Sequence, residues 1–141
     1  MLVLHPSRVV FDGEEWRDVL ALVVAREATR LVREWSDDGP HPTFVDVAEF
    51  ETRLRVVTEV GSGQIEAPRV GEFATVAWQA SQSGADSGRV ACQLDGVVTS
   101  VTYQASKGRW RRVVEVLGQS PTGQADPLTR KGQGVLPEVT L

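Results

Sequence analysis

At 141 residues, with 41% hydrophobic and 24% charged residues, the chain has the size and composition of one ordinary folded domain rather than of a disordered segment. Its net charge of −4, from 19 acidic against 15 basic residues, argues against tight general binding to a polyanion. The single cysteine, Cys92, excludes an internal disulfide framework and fits best as a small apolar residue between Val90 and Leu94. No apolar run approaches the roughly 20 residues that cross a bilayer as a helix, and Met1 to Pro6 lacks the basic start and apolar stretch of a secretory signal. Synthesis and assembly in the cytoplasm are therefore expected.

Ser7 to Phe11 reads as a first strand, and Asp12–Gly13 is a hairpin pair, with Trp16 onward as the returning strand. Val19 to Trp35 carries two conflicting patterns. Ala21, Val24, Ala25, Ala28, Leu31, Val32 and Trp35 fall at helical spacing, and Asp12 followed by Glu15 has the form of a capping box. Against the helix stand the β-branched Val19, Val23 and Val24 and the hairpin signal before them. The pattern favours two strands with a break near Glu27 to Thr29, apolar on both faces over Val19 to Val24 as in a strand covered on both sides.

Ser36 to Pro42 combines two aspartates, a glycine and two prolines and reads as an exposed loop. Thr43 to Val47 resumes an extended pattern. In the following stretch Phe50, Thr52, Leu54, Val56, Thr58 and Val60 alternate with Glu51, Arg53, Arg55, Val57 and Glu59, the period of two that marks a half-buried strand.

Gly61 to Gly71 is a connection, and Phe73 to about Ala80 a further strand. Ser81 to Gly88 is a second connection. Asp95–Gly96, between Leu94 and Val97, gives the cleanest hairpin signal in the chain, so Val90 to Tyr103 reads as a hairpin. Ser106, Lys107 and Gly108 turn the chain again into an antiparallel strand over Arg112 to Leu117, after which an extended tail runs from Gly118. About eight short strand candidates with turn signals between them predict one all-β domain, an antiparallel sandwich or barrel with at most a short helix.

Few residues suggest chemistry. His5 and His41 are the only histidines, each beside a proline, and neither has a spacing that announces a metal or acid–base site. Asp37 and Asp38 beside His41 could hold a cation, but two aspartates before a glycine more often make a turn. The glycines of Gly61 to Gly71 lack the residues of a phosphate loop. Lys107, Arg109, Arg111 and Arg112 surround Trp110 in the densest basic cluster. Basic residues beside an aromatic can bind nucleic acid, yet alternation puts Arg111 and Arg112 on opposite faces, which suits a subunit contact to acidic partners or a solvated turn. Trp78 reads as core, whereas Trp35 and Trp110 border polar loops and could equally anchor an interface. No cofactor, metal or catalytic residue is expected.

Three stretches resemble the tail tube proteins, or major tail proteins, of long-tailed bacteriophages: SRVVFDG at Ser7–Gly13 with the strand after it, WSDDGPHPTFVDV at Trp35–Val47 leading into Phe50–Val60, and VACQLDGVVTSVTY at Val90–Tyr103 followed by Arg112–Pro127. The resemblance implies a β-sandwich-like subunit with a flanking short helix. It implies six copies closing into a ring, and rings stacking into a tube whose lumen conducts DNA during ejection without binding it specifically. It places the protein in the virion tail, in contact with copies of itself and with sheath, tape-measure and baseplate proteins. The Ser36–Pro42 loop and the tail from Gly118 are the segments expected between rings. The expected contact residues are Trp35, Asp37, Asp38, His41, Arg53, Arg55, Trp110 and Arg112. The alternative is a small β-barrel binding or adaptor module that forms no tube, with a pocket drawing on Trp16, Trp78 and Tyr103. An enzyme ranks third, since no nucleophile and base are paired.

Overall fold

The computed structural model describes residues 2–4, 6–61, 68–81 and 89–132. All regular structure in it is β: β1 (Leu2–Leu4), β2 (Pro6–Phe11), β3 (Glu14–Trp16), β4 (Val19–Trp35), β5 (Pro42–Val60), β6 (Phe73–Ser81), β7 (Arg89–Ser106), β8 (Arg109–Gly118) and β9 (Leu128–Gly132). Every pairing is antiparallel, and the strands join one sheet in the order β1-β4-β5-β8-β7-β6-β2-β3, with β9 added to β7. The expected all-β, antiparallel class is the one observed. The sheet is not closed into a barrel, but it curls enough that β2 and β4, far apart in strand order, touch across the core. The short helix implied by the resemblance has no counterpart among the described residues.

Period-two burial builds that core. Val24, Leu54, Val116 and Val98 face one another in a row across β4, β5, β8 and β7, and Leu22, Val56 and Val114 form the row beside it. Phe11, Val76 and Leu94 continue the interior across β2, β6 and β7, with Trp78 as its largest wholly enclosed side chain. These apolar faces can leave water only together, because each strand alone exposes its own.

Two tight turns have the chemistry the sequence announces. Asp12 (φ 51°) and Gly13 (φ 84°) join β2 to β3, and Lys107 (φ 54°) and Gly108 (φ 76°) join β7 to β8. Two successive left-handed residues match the twist of a two-residue hairpin. The strand returning from Asp12–Gly13 is shorter than expected: it ends at Trp16, and a left-handed Asp18 (φ 59°) redirects the chain into β4.

Three expectations are corrected. Val19–Trp35 is a single strand, and the expected break near Glu27–Thr29 appears only as register shifts between Ala28 and Leu31. Pairing with β5 resumes on both sides of that point, so the irregularity is absorbed as a local distortion instead of ending the strand. Asp95–Gly96 makes no turn: β7 runs straight through it, paired with β6 on one side and flanked by β8. The chain after Gly118 is only partly a tail, since Leu128–Gly132 returns to pair with β7 at Ala91–Leu94, and Leu128 packs against the core. Most of the two expected loops at Gly61–Gly71 and Ser81–Gly88, and the chain beyond Gly132, lie outside the described residues.

A candidate assembly surface

β4 and β5 are far longer than the body of the sheet needs. β1 pairs with β4 only at Leu22–Val24, and β8 pairs with β5 only from Arg53 to Val60. Beyond those limits β4 and β5 pair only with each other among the described residues, so Arg26–Trp35 and Pro42–Phe50 form a two-stranded arm closed by the Ser36–His41 loop. At about 3.3 Å per residue the arm projects roughly 30 Å. Every residue from Arg26 to Phe50 is exposed.

The arm nevertheless carries many large hydrophobic side chains. Leu31, Val32, Trp35, Phe44, Val45, Val47 and Phe50 are between 39% and 63% exposed. Cross-strand pairing puts Leu31 with Val47 and Arg33 with Val45 on one face, and Val32 with Asp46 and Glu34 with Phe44 on the other. Both faces thus carry large hydrophobic side chains and neither has a layer against it among the described residues. An isolated two-stranded ribbon is marginal in water, and large hydrophobic side chains left exposed on both of its faces make this arm the candidate surface for packing against another molecule.

Four of the sequence-expected contact residues gather at the tip of this arm. Trp35, Asp37, Asp38 and His41 are all exposed there, with the Trp35 indole N–H donating to the Pro40 carbonyl at 3.3 Å and the Asp38 amide to the Ser36 hydroxyl at 3.5 Å. The loop is ordered by its own short-range bonds, and the tryptophan is held outward by one of them. Arg53 and Arg55 stand at the root of the arm. Each meets a carboxylate of its own chain, Arg53 with Glu51 at 2.7 Å and Arg55 with Glu115 at 4.0 Å.

Trp110 and Arg112 lie at the other end of β5, where Trp110 pairs with Val60 and Arg112 with Thr58. The Arg112 guanidinium sits 4.0 Å over the Trp16 ring, which in turn stacks on Phe11 with centroids 4.1 Å apart. Burial lowers the pKa of Arg112 from its ordinary value, partly countered by Tyr103 and Glu14. Its Nε also donates to the Thr58 hydroxyl at 3.3 Å. Arg112 is therefore tied into its own chain at the rim of the core. On the opposite face of the same hairpin, Gln104, Ser106, Lys107, Arg109 and Arg111 line an open hollow of about 500 Å³. The expected contact residues thus fall into groups at the two ends and the middle of one long strand, and do not converge on a single site.

The tryptophans do not form a common pocket: Trp78 is enclosed in the core, Trp16 is covered by Phe11 and Arg112, and Trp35 is at the arm tip. Among the described residues no group of three or more His, Cys, Asp or Glu side chains is placed to hold a metal ion. The sequence reading missed Leu31, Val32, Phe44, Val45, Val47 and Phe50 as surface residues. The available signal is the run of apolar residues at adjacent positions, Leu31–Val32 and Phe44–Val45, beside a polar loop, which puts a large apolar side chain on both faces of an extended segment. Neither a protein-family model nor a curated protein matches this chain.

Proposed function

We propose that the chain is a non-catalytic structural subunit that assembles with copies of itself into hexameric rings stacked as a tube, of the type formed by tail tube proteins of long-tailed bacteriophages. In this reading it resides in the virion tail, is assembled in the host cytoplasm, and lines a conduit for DNA that it does not bind specifically. Sheath, tape-measure and baseplate proteins are the further partners the reading implies, and no membrane is involved.

The observation that supports it is the exposed apolar arm. A standard protein–protein interface engages roughly 20–30 residues a side, and Arg26–Phe50 alone supplies 25. A curled sheet with a projecting ribbon has two different surfaces to match, as a head-to-tail assembly requires. The net charge of −4 suits a wall past which a polyanion slides.

Negative-stain microscopy and sedimentation of the concentrated protein test the proposal. Rings or long tubes are expected, and Phe44→Ser combined with Phe50→Ser should leave a folded subunit that no longer forms them. A wild-type chain that stays a monodisperse monomer at high concentration would overturn the reading and favour a small β binding or adaptor module.

A further inference from the structure

The arm and the hollow on the β7–β8 hairpin are complementary in charge and lie at opposite ends of β5. At the tip, Glu34, Asp37 and Asp38 have no Lys or Arg among or between them as far as Pro42. Around the hollow, Lys107, Arg109 and Arg111 belong to a stretch, Tyr103–Val114, that contains no Asp or Glu. Glu59 stands opposite Arg111 across β5 and β8 and offsets one of these charges, which leaves Lys107 and Arg109 in excess. Among the described residues, none of these six side chains at tip and hollow enters an ion pair. Elsewhere on the chain, by contrast, arginines find carboxylates readily, as at Arg8, Arg26, Arg30, Arg53 and Arg55.

A subunit cannot satisfy its own tip with its own hollow. Pro42 begins β5 beside the tip, and Val60 ends it beside the hairpin, paired with Trp110. Nineteen extended residues separate the two by about 60 Å. We infer that the tip of the arm, with Trp35 and the carboxylates of Glu34, Asp37 and Asp38, docks in the Lys107–Arg109–Arg111 hollow of a second copy of this chain. The contact rests on the self-assembly reading and deepens it by naming the two surfaces that meet. It is heterologous: each copy donates an arm at one end and receives one at the other, so repetition propagates along an axis instead of closing a dimer. Opposite charges fix the register and direction of stacking, while the apolar residues of the arm supply most of the buried surface.

Charge reversal tests it. Asp37→Lys with Asp38→Lys, and separately Lys107→Glu with Arg109→Glu, alter exposed side chains and should keep the strand signal in circular dichroism and the melting temperature of the wild type. Each pair should raise the protein concentration needed for assembly, read by pelleting and negative stain, at least about tenfold, since a like-charge contact costs more than the 1.4 kcal/mol that a factor of ten represents. All four reversals in one chain should bring the threshold back near the wild-type value. If the wild type assembles but either pair leaves its threshold unchanged, or if the four reversals together fail to restore it in folded protein, the docking contact is wrong while self-assembly stands. A wild type that never assembles overturns both.

Discussion

The Arg26 guanidinium holds the Asp126 carboxylate through one nitrogen, at 2.9 Å to one oxygen and 3.2 Å to the other, tying the root of the arm to the segment that follows β8. The two residues are 100 positions apart, and both are substantially exposed. Asp126 has a second task, because its Oδ1 also accepts the amide of Leu128 at 3.0 Å, where β9 begins. Arg26→Ala should therefore cost only the small amount typical of an exposed pair, about 0.2–1 kcal/mol. Asp126→Ala should cost more, since it also removes a turn-forming acceptor, by roughly a further 0.5–1.5 kcal/mol. Urea unfolding of the two variants checks the order; equal losses would mean that the β9 turn does not depend on this carboxylate.

Gly96 marks where local sequence rules and tertiary packing disagree. A Cβ at this position would collide with the Leu117 carbonyl and come within 2.9 Å of a Val116 methyl. The glycine is there because β8 crosses too closely for a side chain, as expected for an isolated glycine inside a strand. Beside it, Asp95 accepts from the Thr75 hydroxyl at 2.9 Å, and its amide donates to the Pro127 carbonyl at 3.2 Å. Gly96→Ala should destabilise by about 1–3 kcal/mol, the usual cost of overpacking, or more where backbone must move. Gly39→Ala is the control, since nothing lies within 4 Å of its added Cβ. Thermal melts should separate the two by several degrees; a Gly96→Ala protein that melts with the wild type would mean β8 can retreat freely.

The contrast between these glycines and the true turns explains how much of the fold was legible. Asp12–Gly13 and Lys107–Gly108 are turns because both residues of each pair are left-handed, and sequence chemistry alone reports that. Asp95–Gly96 offers the same letters, but its conformation is set by β6 and β8, which are distant in sequence. The alternation of Thr52, Leu54, Val56 and Thr58 identified the core half of β5, because burial on one face of a sheet has period two. The arm was not legible as an arm. Its residues have strand propensity whether or not a third strand lies alongside, and the ends of β1 and β8, which leave it alone, are properties of the pairing. Trp35, Asp37, Asp38 and His41 were readable as one exposed group because they are neighbours in sequence. The hollow's separation from them, at the far end of β5, needed the topology.

Phe50 and Leu54 divide β5 into its two uses. Leu54 has no exposed surface, whereas Phe50, four residues earlier on the same strand, is 63% exposed. Leu54→Ala leaves a cavity among Val24, Val116 and their neighbours and should cost about 2–5 kcal/mol. Phe50→Ala should change the stability of the isolated chain by no more than about 0.5 kcal/mol. Chemical denaturation under conditions that keep the protein dispersed distinguishes them. A large loss at Phe50 would show that its ring is covered within the subunit, and the arm would then be unavailable to a neighbour.

Thr52 marks the boundary between body and arm, and carries a fault that a substitution should repair. It is 2% exposed, it pairs with Arg26 across β4 and β5, and its buried hydroxyl has no hydrogen-bond partner among the described residues. Thr58, on the same face six residues on, shows the satisfied arrangement: its hydroxyl donates to the Arg112 carbonyl at 3.4 Å and accepts from Arg112 Nε at 3.3 Å. A buried, unpaired hydroxyl forfeits its bonds to water, at a cost of about 1–3 kcal/mol. Thr52→Val keeps the β-branched shape and strand propensity while removing the polar atom, so it should stabilise the protein by roughly 1 kcal/mol. Thr58→Val should destabilise, because it strips a partner from a half-buried guanidinium. Opposite shifts in melting temperature are expected for these two identical chemical changes on one strand face; shifts of the same sign would mean that Thr52 finds a partner that compensates its burial.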